Sequence, residues 1–145
     1  MSYDFVKKNE ENSFYKVTLD EINEVEHKLG IKIPNELKKF YLEIGYGFIK
    51  GSEYTINRIM DPYSVCDFRT RENDFEFFPD IEIYDEYEEG KLIFFESSES
   101  ALMSIDLSGG LVNPIYYYDI QIAESLKEFL IKIEENDRYY LDLLD

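Results

Sequence analysis

Thr18-Leu19-Asp20-Glu21-Ile22-Asn23-Glu24-Val25-Glu26-His27-Lys28-Leu29-Gly30-Ile31-Lys32-Ile33-Pro34-Asn35-Glu36-Leu37-Lys38-Lys39-Phe40-Tyr41-Leu42-Glu43-Ile44-Gly45-Tyr46-Gly47 is the stretch on which the fold turns. Thr18 with Glu21 reads as a capping box, in which the threonine hydroxyl and the glutamate carboxylate each accept the other's backbone N–H and start a helix. Leu19, Ile22, Val25 and Leu29 then share one face, and Gly30 supplies the left-handed residue that ends a helix of about three turns. Pro34 lies at the first turn of a second helix, where its missing N–H does no harm. Leu37, Phe40, Tyr41 and Ile44 follow the i, i+3, i+4, i+7 spacing, and Gly45-Tyr46-Gly47 is expected to close that helix. Two helices this short are not stable alone, so the hairpin they form must pack on something else, expected to be a sheet.

Working outward, strand-like runs appear at Tyr54–Ile59, Leu92–Phe95, Ala101–Asp106 and Pro114–Tyr118. The last two flank a hairpin loop, Ser108-Gly109-Gly110, which makes adjacent strands antiparallel. A weaker helical pattern spans Tyr63 to Asn73. A clearer one covers Ile122 to Glu134, with Ile122, Leu126, Phe129, Leu130 and Ile133 as its apolar stripe, and Tyr139 to Leu144 is expected to pack back. The expected fold is α+β: an N-terminal helical hairpin and a C-terminal helix packed on a mostly antiparallel β-sheet. With 145 residues and no repeat or linker, a single domain spanning 1–145 is expected.

Composition narrows the function. Hydrophobic residues make up 44% of the chain and aromatics 17%, enough apolar surface for a folded core despite a net charge of −17. That charge repels phosphate backbones and anionic lipid and attracts cationic partners, so the expected partner is a basic protein, with no nucleic acid and no membrane. The N-terminal residues lack the apolar core of a signal peptide, and no apolar run approaches the roughly 20 residues needed to span a bilayer, so the expected location is cytoplasmic. No nucleotide-binding glycine loop, nucleophile elbow, zinc-binding histidine pair or C-x-x-C is present. His27, the sole histidine, falls on the polar side of the first helix and reads as solvated. Cys66, the sole cysteine, reads as a small core residue. We therefore expect no enzyme, no catalytic residues, no metal site and no cofactor.

The charge is unevenly distributed: residues 1–71 carry 12 acidic and 11 basic side chains, residues 72–145 carry 20 and 4. It is densest from Glu72 to Gly90, where nine carboxylates meet no Lys or Arg and five aromatic rings are interleaved. The candidate partner-binding residues are Glu72, Asp74, Glu76, Phe78, Asp80, Glu82, Tyr84, Asp85, Glu86, Tyr87 and Glu88. Carboxylates would steer and pair with Lys or Arg while rings supply contact area. Each ring can equally be an anchor to the core, and both readings stand for different residues of the stretch. Tyr116-Tyr117-Tyr118 reads as a strand with alternating faces.

Three blocks resemble the SUKH superfamily, the group of the Smi/Knr cell-wall regulator of fungi and related bacterial immunity proteins. They are Ile22 to Pro34 continuing through Leu37-Lys38-Lys39-Phe40-Tyr41 to Gly45-Tyr46-Gly47, the strand pair Met103–Leu107 and Pro114–Asp119, and Ile122 to Leu130. The resemblance implies an α+β fold and, for bacterial members, an immunity protein (antitoxin) that binds and neutralises a cognate toxin, often a nuclease. It carries over no catalytic residues. The alternative it leaves is a non-enzymatic regulatory scaffold binding an endogenous cellular protein.

Overall fold

The computed structural model describes residues 2–52, 55–98 and 101–143. Thr18 Oγ1 accepts the Glu21 N–H at 3.2 Å and starts α1 (Leu19–Leu29), which Gly30 ends in the left-handed conformation. Only the threonine half of the capping box forms among the described hydrogen bonds. Ile22 and Val25 are buried, whereas Leu19, in the first turn, is exposed. Glu26 is buried beside them: its carboxylate accepts the Ile33 N–H at 2.8 Å and closes the turn into α2 (Asn35–Glu43). Pro34 caps α2 from outside, and Leu37, Phe40, Tyr41 and Ile44 are all buried as their spacing predicts.

The helical hairpin leads directly into a strand. Gly45-Tyr46-Gly47 does more than end α2, because Tyr46–Phe48 form β2, antiparallel to β1 (Ser13–Tyr15). Gly45 and Gly47 adopt φ of 118° and 152°, and a Cβ on either would overlap the backbone carbonyl oxygen of Tyr15 or Ser13. Glycine here permits the close approach of β1.

Of the run Tyr54–Ile59, Tyr54 lies outside the described residues and only Arg58–Ile59 form β3, because Asn57 turns the chain with φ of 50°. Asp61 caps α3 (Pro62–Thr70), with Pro62 at its first position. The long central pair follows: β4 (Lys91–Ser98) against β5 (Ala101–Asp106). A bulge between Ile93 and Phe95 lets the neighbouring rings of Phe94 and Phe95 both reach Phe129, with centroids 6.1 and 4.9 Å away. In an unbroken pleat they would point to opposite faces.

Tyr116 and Tyr117 lie in β6 (Ile115–Tyr117), and Tyr118 leaves it in a left-handed turn at φ of 56°. The expected helical stripe from Ile122 needs correction, since Ile120–Ala123 form β7. The last helix, α4 (Leu126–Glu135), begins after Ser125, whose hydroxyl accepts the Glu128 N–H at 3.0 Å. Tyr139–Leu143 then make a 3-10 turn that buries Tyr140; Leu144 lies outside the described residues.

Among the described residues seven strands form one antiparallel sheet in chain order, β1 to β7, so the fold is α+β. Five consecutive buried residues in β5, Ala101 to Ile105, require cover on both faces of the sheet. The buried apolar side chains join in one cluster from Tyr3 to Tyr140. Where the chain returns after α4, Asp137 Oδ2 accepts Ser52 N–H, Ser52 Oγ, Thr55 Oγ1 and Asn57 Nδ2 within 3.2 Å, tying the C-terminal segment to the loop before β3.

Candidate protein-binding surface

Residues 72–90 join α3 to β4. Asp74-Phe75-Glu76-Phe77 and Asp80-Ile81-Glu82-Ile83 alternate as a strand would, yet the chain folds as three short 3-10 turns, Asn73–Phe75, Ile81–Tyr84 and Glu86–Glu88. Asn73 and Asp80 take left-handed conformations that break up any longer run. The inner side is built on Phe68 of α3, whose ring meets Phe75, Phe78 and Tyr84 edge-on at 5.1, 6.1 and 5.8 Å. Tyr84 stacks on Tyr118 at 5.7 Å, and Tyr87 lies 5.1 Å from the same ring. Burial and the hydrogen bond with Tyr118 push the Tyr84 phenol well above its ordinary range.

One arginine fastens the segment's far end. Arg71, at the end of α3, donates to the Phe68 carbonyl, to Glu88 at 3.0 Å and to Asp85 at 2.8 Å, with its guanidinium 4.9 Å above the Phe68 ring. Burial opposes its charge, but the hydrogen bonds to Glu88 and Asp85 raise its pKa overall. Burial pushes the Glu88 carboxyl up, with Arg71 pulling it back down. Arg69 donates to the Lys91 carbonyl at 2.8 Å, and Lys28 of α1 pairs with Glu72 at 3.1 Å.

The structure thereby sorts the candidate residues. Tyr84 is buried and Phe78, Tyr87 and Glu88 are partly buried, so these are chiefly anchors, and Tyr84 offers no ring to a partner. Asp74, Glu76, Asp80, Glu82 and Glu86 face solvent, as do Glu72 and Asp85 with their internal cations. Sequence reasoning omitted two apolar side chains that point outward among them, Phe77 at 88% exposure and Ile83 at 49%. The signal for Phe77 was its place in Phe75-Glu76-Phe77-Phe78: three rings so close cannot all face the core. The outer surface thus carries carboxylates and two apolar side chains over an aromatic base.

His27 is exposed, and Cys66 is buried, with burial pushing its thiol up. Among the described residues no group of three or more His, Cys, Asp and Glu side chains is placed to hold a metal, and no helix is long and apolar enough to cross a membrane.

The α+β fold and its anchored acidic surface do not by themselves define a function, and the family is given by comparison with known proteins. The chain belongs to the SUKH_6 family, described as SMI1-KNR4 cell-wall, whose profile matches residues 19–130, from the first residue of α1 into α4. It is also 72% identical over 145 residues to "Immunity protein YxxD" of Bacillus subtilis (strain 168), covering 100% of this chain and 99% of that relative.

Proposed function

We propose that this protein is an immunity protein that binds and neutralises a cognate, nuclease-type toxin in the cytoplasm through the acidic surface of residues 72–90. The observation that carries the reading is the outward set Asp74, Glu76, Asp80, Glu82 and Glu86, which has no basic residue among its chain neighbours from Glu72 to Gly90. Keeping so many like charges together destabilises the free fold, and attraction to a basic surface offsets that cost. A nuclease grips phosphates with Lys and Arg, so an acidic protein can occupy that surface as a nucleic-acid mimic. The name of the 72% identical relative supports the immunity part of the reading.

Co-expression tests it. Cells producing the toxin encoded beside this gene should survive when the protein is present and stop growing when it is absent. Failure to protect against any toxin encoded there removes the proposal.

A further inference from the structure

A second exposed surface follows β5. After β5 the chain runs Ser108-Gly109-Gly110-Leu111-Val112-Asn113, and its base is locked. Asn113 is fully buried: its Oδ1 accepts the Glu36 N–H at 3.0 Å and its Nδ2 donates to the Gly110 carbonyl at 3.0 Å. The buried Glu36 carboxylate accepts the N–H groups of Asn113 and of Leu126, the first residue of α4. Asn35 adds a bond to the Gly110 carbonyl at 3.1 Å. This lock fixes a tip of the opposite character, with Leu111 83% and Val112 57% exposed.

Nothing in the fold requires large aliphatic side chains at that tip, where polar residues would keep the same base. Between the tip and α4 lies a groove of about 510 Å³, lined by Val112 and Ile131 and rimmed by Glu124, Glu128 and Glu135 against Lys127 and Lys132. Three carboxylates face two ammonium groups on this rim, so its balance is acidic, and Lys132 is already paired with Glu128 at 3.0 Å. A second copy of a chain carrying −17 would bring like charge to this face. The complementary occupant is a basic segment presenting apolar side chains between Lys and Arg. The Leu107 N–H donates to the Gly90 carbonyl at 3.0 Å, so the acidic stretch ends where this loop begins.

We infer that the Leu111–Val112 tip and the α4 groove form a preorganised docking surface for the same basic toxin, seating its apolar side chains once the carboxylates of 72–90 have steered it in. The inference rests on the proposed function for the partner's identity. A tip already rigid loses little entropy on binding, so its contribution falls on the dissociation rate.

The test is surface-immobilised kinetics with a catalytically inactive form of the toxin encoded beside the gene. Leu111→Ser with Val112→Ser, both outside the core, should leave the thermal midpoint unchanged and speed dissociation about 10-fold or more with little change in association. The milder Leu111→Met with Val112→Ile should dissociate like the wild type. If the serine variant dissociates within about twofold of the wild type, less than the tenfold that 1.4 kcal/mol confers, the docking surface is refuted while the acidic-surface proposal stands. If the wild type itself binds no such toxin, both fall together.

Discussion

At Asp137 four donors converge on one carboxylate oxygen, and the charge state of that residue links local geometry to stability. Burial works against its charge, but the hydrogen bonds from Thr55, Ser52 and Asn57 hold its pKa below the ordinary carboxyl range. A carboxyl depressed in the folded state adds stability above its unfolded pKa of about 3.9 and loses it as pH falls through the folded value. Asp137→Ala should therefore cost about 2 to 4 kcal/mol in urea denaturation at pH 7, since it leaves buried donors unpaired. The difference from wild type should shrink below about pH 4. Glu134 behaves oppositely: among the described residues its Oε1 is buried without a hydrogen-bond partner, and burial raises its pKa against a hydrogen bond with Asn12 that lowers it. Glu134→Gln should stabilise the protein at pH 7, with the gain vanishing in acid where both states are protonated. None of these partners was legible in the sequence, because Asp137 meets Ser52 across 85 positions of chain and no local pattern encodes such a pairing.

Among the elements, those whose signals are local were legible. Thr18, Gly30 and the spacing of Leu37, Phe40, Tyr41 and Ile44 define α1 and α2 before any tertiary contact is known. The β7–α4 junction was misread because Ile122 fits both a strand alternation with Ile120 and the helical stripe through Leu126. Ser125-Leu126-Lys127-Glu128 is the signal that resolves it, and Ser125→Ala should cost about 1 kcal/mol in thermal or chemical unfolding. β1 was invisible because three residues carry no periodicity, and its place is set by the distant Gly45 and Gly47, before and within β2. Gly45→Ala should destabilise by about 2 kcal/mol or more and expose the amides of β1 to hydrogen exchange, since the new Cβ would strike the Tyr15 carbonyl. In the candidate site the acidity was plain, but the facing of each ring was not. The 3-10 turns and the left-handed Asn73 and Asp80 follow neither of the periods that sort inside from outside.

For the whole molecule the governing quantity is the net charge of −17, concentrated beyond residue 71. Replacing the outward Asp74, Glu76, Asp80 and Glu82 by Asn or Gln relieves repulsion without touching the aromatic base. The free protein should then melt at a higher temperature in low salt, with the difference fading at about 1 M salt as the Debye length shrinks to about 3 Å. The same four changes should remove the field that brings a basic partner in. The most direct measurement is the association rate with the inactive toxin encoded beside the gene, for wild type and this neutralised variant, across a salt series. The wild-type rate should fall steeply with salt, and the variant should associate about 10-fold more slowly in low salt with a nearly flat dependence. Equal rates and equal salt slopes would contradict the claim that residues 72–90 guide this protein to its partner.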